Sequence, residues 1–148
     1  MRTVKELSIS LSNKPGRMAT ILSGLSKEKV NLIALAVMDV GGRSMMRLVT
    51  DDLDHTRELL DAMNIRYAMH DVLLVEVLNQ PGSFSNVCSR LASEHLSLDY
   101  AYCSSSTSKN CHAVIRVNNL AKAQHVLDST NGTSARVKRP GRRPVHAR

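Results

Sequence analysis

Residues 12 to 22 read SNKPGRMATIL and residues 78 to 88 read LNQPGSFSNVC, so an Asn-x-Pro-Gly corner recurs after 66 positions. A repeat of this length leaves room for two small units and little else in a chain of 148 residues. The pattern around each corner is also shared. Before the first, Leu7, Ile9 and Leu11 alternate with Ser8, Ser10 and Ser12, as in a half-buried strand. Before the second, VLLVEVL (72 to 78) is a more continuous apolar run, as a more central strand would be. After the corners, Met18, Ile21, Leu22 and Leu25 recur at helical spacing, and Phe84, Val87, Cys88 and Leu91 match them 66 positions on.

The correspondence continues past the helices. Residues 31 to 40 and 96 to 103 read as strands, and Gly41-Gly42 turns the first tightly into RSMMRLVT (43 to 50). The second copy uses the longer turn SSSTSKN before CHAVIRV (111 to 117). Asp51-Asp52-Leu53 then matches Asn118-Asn119-Leu120 at an offset of 67, and a second helix follows in each half. Closing strands are expected at about 65 to 71 and 133 to 137. The predicted fold is α+β: two tandem ferredoxin-like βαββαβ units with antiparallel sheets and helices on one face. The first unit spans 1–70 and the second 71–137, with a basic tail at 138–148.

Each unit resembles the ACT domain, with the whole element order repeated over residues 4 to 137. That resemblance implies a small-molecule binding regulatory protein whose effector is most often an amino acid. In the serine-sensing type, ligands are held by the corner Asn and by a second Asn that starts the next strand. Those positions are Asn13 and Asn31 here, and Asn79 and Ser97 in the second copy, each pair 18 residues apart. The resemblance therefore implies ligand contacts at Leu11, Asn13, Pro15, Gly16, Arg17, Met18 and Asn31, and at Asn79, Gly82, Ser83 and Ser97. The corner chemistry suits the role: a helix N-terminus attracts a carboxylate, and glycine leaves its backbone open to approach. An amide side chain both donates and accepts. The position two before each corner Asn, often polar in the serine-sensing type, is Leu11 or Val77, which points to a more apolar pocket. The plainer reading makes Asn13 a turn residue and Asn31 a loop cap.

The remaining composition narrows the function classes. Cys88, Cys103 and Cys111 form no CxxC pair, the six His do not cluster, and no nucleophile elbow or HExxH is present. The chain thus reads as a binding protein rather than an enzyme, with no metal and no cofactor. The net charge of +7 is concentrated at the end: residues 136 to 148 hold six of the 20 Lys and Arg and no acid. The rest is nearly neutral, so nucleic acid is not the expected partner, although a nucleic-acid-associated regulator using the tail is the alternative class. No apolar run reaches the length of a membrane span, and the opening residues lack a signal peptide's apolar block, which suggests a cytoplasmic protein. Unprotected sheet edges imply a homodimer, and the resemblance implies a partner enzyme, as for a regulatory subunit in amino-acid biosynthesis.

Overall fold

The computed structural model describes residues 1–11, 15–105 and 109–129. Its elements run β1 (Arg2–Ser10), α1 (Arg17–Lys27), β2 (Leu32–Val40), β3 (Arg43–Thr50), α2 (Leu53–Ala62) and β4 (Ala68–Leu78). They continue with α3 (Ser83–Ser93), β5 (Leu98–Ser105), β6 (Asn110–Val117) and α4 (Leu120–Asp128). The six strands form one antiparallel sheet in the order β2-β3-β1-β4-β6-β5. That order is two-fold about the β1–β4 pair, as the repeat requires.

The closing strand expected at 65 to 71 and the apolar strand at 72 to 78 are one strand, β4, so the 70/71 boundary falls inside it. Its first part pairs with β1 and its second with β6. The corresponding strand expected at 133 to 137 lies outside the described residues, as does the tail at 138–148. The place beside Val72–Leu74 that such a strand would take is filled by Arg2–Val4 of β1. Arg2↔Leu74 and Val4↔Val72 are the repeat images of Ser8↔Ala68 and Glu6↔His70. Each central strand therefore serves both units, which suits the continuous apolar run in VLLVEVL.

Register fixes the faces. Leu7 stands opposite Met69, and Met69 shares a face with Leu73, Val75 and Val77 two, three and four turns of the pleat along. Leu7, Ile9, Met46 and Leu48 pack under Ile21, Leu25 and Leu60 of α1 and α2. Leu73, Ile115 and Val117 pack under Val87, Leu91 and Leu127 of α3 and α4. All four helices thus lie on one side, over two separate cores. The other side closes on itself: β2 and β5, at opposite ends of the strand order, are in contact. A third core of Ala34, Val49, Val4, Val72, Leu74, Val114 and Tyr102 draws on all six strands.

Local chemistry ends the elements where the repeat says. Asp52 and Asn119, the matched positions before α2 and α4, accept from His55 N and Lys122 N, each at 3.0 Å. Gly41 and Gly42 both have positive φ, as a two-residue hairpin demands. Gly16 and Gly82 cap α1 and α3 in left-handed conformation, at φ 78° and 87°. Among the described residues, a Cβ at either would meet nothing within 4 Å, so the cost of substitution is backbone strain. Gly16→Ala and Gly82→Ala should each lower unfolding free energy by about 1–2 kcal/mol in urea titrations. Asp52→Ala should cost about 1 kcal/mol by the same measurement.

Candidate functional site

Both corners present an open helix start. Among the described residues, neither α1 nor α3 has a side-chain cap, neither has an acidic residue in its first turn, and Pro15, Gly16, Pro81 and Gly82 are exposed. In α3 the Ser83 N–H turns back to Gln80 O at 3.3 Å, and the other N–H groups of a first turn are those a helix start offers to an anion. Asn13 lies outside the described residues. Asn79 is exposed, and its backbone N–H donates to Lys109 O at 2.8 Å. The two corners differ in charge at the first helical position: Arg17 in one, Ser83 in the other. Arg17 Nε is buried with no partner among the described residues. Met18 is partly buried against the first core. Leu11 and Val77, each 8% exposed, belong to the helix-side cores beneath the corners.

Asn31 and Ser97 occupy matched places at the starts of β2 and β5. The Asn31 N–H donates to Asp51 Oδ1 at 3.0 Å and its amide to Asp51 Oδ2 at 3.2 Å. The Ser97 N–H donates to Asn118 Oδ1 at 3.1 Å. The paired residues Asp51-Asp52 and Asn118-Asn119 therefore do two jobs each: one ties a strand start, the next caps a helix. Asn31 also borders a groove of about 420 Å³ between the end of α1 and the start of β2.

The structure does not bring Asn31 to the first corner. Helix α1, 11 residues and about 16 Å long, runs from Gly16 toward Asn31 and separates them. Strand register shows what each does meet. Ser104 Oγ donates to Ile33 O at 3.2 Å, so the start of β2 adjoins the finish of β5. That finish lies beside the start of β6, and the start of β6 lies beside the finish of β4, where the second corner departs. Asn31 therefore shares an end of the curled sheet with Asn79, Gly82 and Ser83. At the opposite end the first corner leaves β1, and Ser97 opens β5. Each corner is grouped with a strand start from the other unit.

The interior of the curl holds a polar cluster that periodicity did not reveal. Glu6, fully buried on β1, accepts from the hydroxyls of Tyr100 and, at 2.7 Å, Tyr102. Arg47 on β3 lies 3.3 Å from the same carboxylate, donates to Ser8 Oγ at 2.9 Å, and stacks 3.9 Å above the Tyr100 ring. The sequence signal was faint: Tyr100 and Tyr102 two apart on one strand, and a lone Glu in an otherwise alternating β1.

Titration should expose this cluster. Burial, then the hydrogen bond to Glu6, pushes the Tyr100 hydroxyl up to about 12, and Tyr102 moves the same way for the same reasons. The fold favours neutral tyrosine, so this contribution is full below the ordinary value of 10.0 and is lost as pH rises through about 12. Urea midpoints should fall over that window, and less so in Tyr100→Phe. His70, opposite Glu6, is lowered by burial first and then by Arg116 and Arg47, with Glu6 opposing. Neutral imidazole is favoured, so its contribution is present above 6.5 and lost as pH falls through the lower folded value. His70→Gln should flatten the acid side of the same stability profile.

No functionally curated protein matches the sequence. Among solved structures, protein BT0572 from Bacteroides thetaiotaomicron is 29% identical, with a TM-score of 0.79 over 86% of this chain and 88% of that one. The ligand-free regulatory subunit of aspartate kinase from Thermus thermophilus shares the fold at 13% identity, with a TM-score of 0.60 over 86% of this chain and 94% of that one. Its counterpart from Thermus flavus does so at 17% identity and a TM-score of 0.59, over 86% and 89%. The family model for an ACT domain pair matches residues 2–133, which together with the doubled corner and the two-fold strand order makes this chain a member of the ACT domain pair family.

Proposed function

We propose that the chain is a regulatory module that binds a free amino acid at two composite sites. Each site joins one unit's helix corner to the other unit's strand start. The observation that carries this reading is the grouping of the second corner with Asn31, and of the first with Ser97, at opposite ends of the curled sheet. An amino acid is small, zwitterionic and suited to that arrangement. Its carboxylate sits over the uncapped N–H groups of a helix start, and its ammonium and side chain reach the polar strand start. Asn79 is the corner residue of one site, and Asn13 is its sequence counterpart for the other. Membership of the family and the fold shared with regulatory subunits of aspartate kinase support a regulatory role. The response passes to a partner enzyme or through a homodimer.

The two sites are chemically unequal. Arg17 adds a cation to the first corner, where Ser83 leaves the second uncharged. Asn31 at the second site has its amide drawn toward Asp51. One ligand should therefore titrate with two distinct affinities.

A thermal-shift screen of the common amino acids should find at least one that raises the melting temperature, since a ligand bound only by the native state stabilises it. Calorimetric titration then tests the geometry. Asn79→Ala and Asn31→Ala should each weaken one site by about 1–3 kcal/mol and leave the other unchanged. The double variant should lose less than the sum of the two, because both act on one ligand. Coupling of Asn79 with Ser97 instead would confine each site to a single unit. An unmoved melting temperature across the whole screen would remove the amino-acid reading.

A further inference from the structure

The repeat supplies an internal control for the polar cluster. Glu6 maps onto Val72, Ser8 onto Leu74 and Arg47 onto Val114, while Tyr100 and Tyr102 map onto Ala34 and Ala36. The apolar set packs the same curled interior well: Val72 and Val114 are 0% exposed, and Ala34 and Leu74 3%. Packing alone therefore does not require a carboxylate at this place. A buried ion pair gains little over apolar residues of similar volume, and this one is incompletely bonded. Arg47 Nε is buried with no partner among the described residues.

Reach distinguishes the cluster. Glu6 stands on β1 and its two tyrosines on β5, three places apart in the strand order, so the bonds cross the interior rather than run along the sheet. With the Arg47–Tyr100 stack they tie β5 to β3 and β1, the strands on the far side of β2, and so span the place where the curl closes. Every neighbouring pair in the strand order shares a backbone ladder, whereas β2 and β5 only adjoin at its ends, bridged by the side chain of Ser104. A joint without a ladder lacks the cooperative row of hydrogen bonds that makes a sheet open as a whole.

We propose that Glu6, gripped by Tyr100 and Tyr102 and steadied by Arg47, is a latch that holds the β2–β5 seam shut. The seam opens as a local event, without loss of the two helix-side cores. Opening moves the start of β5, and Ser97 with it, relative to the first corner, so the latch governs one of the composite sites. That last consequence rests on the proposed function; the latch itself does not.

The test places a thiol inside the seam of the full chain, with Cys88, Cys103 and Cys111 replaced by serine. Ala34→Cys puts it in the third core, and its rate of maleimide labelling without any amino acid present reports opening. Combining Tyr100→Phe with Tyr102→Phe should speed labelling about tenfold or more, as expected for loss of hydrogen bonds to a charged group. Low urea should change that rate little, and amide exchange in α1 and α3 should stay at its parental value. Should this variant fail to fold, Glu6→Val with Arg47→Val copies the other half and leaves no charge unpaired; the same acceleration is expected. Labelling at the parental rate in a folded variant overturns the latch. So does labelling that rises only as the whole chain unfolds in urea. Because no ligand is used, a failed amino-acid screen leaves this result readable.

Discussion

The antiparallel ladder between β1 and β4 is the constraint on which the rest of the molecule depends. Its register, from Arg2↔Leu74 to Ser8↔Ala68, makes each strand the last of one unit and the first of the other. A unit of about 65 residues buries too little surface to be comfortable alone. Sharing the two central strands gives each half a neighbour on the edge it would otherwise expose. The same ladder aligns the pleats of both halves, so all four helices fall on one side. With that side covered, the opposite face can be dry only by curling, which brings β2 to β5 and encloses the third core.

Curling also decides what the helix starts can meet. In a flat sheet the two corners would lie at opposite ends with only their own unit nearby. Once β2 and β5 adjoin, each corner acquires a strand start from the other half. A ligand held there, as proposed, would touch both units at once, and its binding energy would depend on how the halves sit together. That dependence would give a pair of domains a regulatory use that a single one lacks. The paired residues Asp51-Asp52 and Asn118-Asn119 brace these ends, because each ties a strand start and caps a helix within two positions.

Against this symmetry the Glu6 cluster stands out by being one-sided. The two halves solve the same packing problem in different ways, one with valine and alanine and one with a carboxylate, a guanidinium and two phenols. Apolar contacts are non-directional and tolerate small displacements, whereas a buried carboxylate holding two hydroxyls has a narrow geometry. The curled interior is thus held by non-directional contacts in one half and by directional bonds in the other.

Much of the fold was legible in the sequence because it depends on local chemistry and period. The doubled Asn-x-Pro-Gly corner, the helical spacing after it and the Gly41-Gly42 turn each specify backbone geometry without reference to distant residues. Even the central position of β4 was foreshadowed by VLLVEVL. Matching Asp51-Asp52 to Asn118-Asn119 was visible as alignment, though its meaning needed the atoms that accept those hydrogen bonds. Which strand start shares an end of the sheet with which corner was not legible, since periodicity within a unit carries no record of how two units close on each other. Asn31 follows Asn13 by 18 residues in the chain, yet a helix about 16 Å long keeps its strand start away from the first corner. Likewise Glu6 and the two tyrosines are about ninety residues apart. The sequence determined the parts and their two-fold plan through short-range propensities; only tertiary structure, through strand register and the curl of the sheet, decided which corner and which strand start lie at the same end.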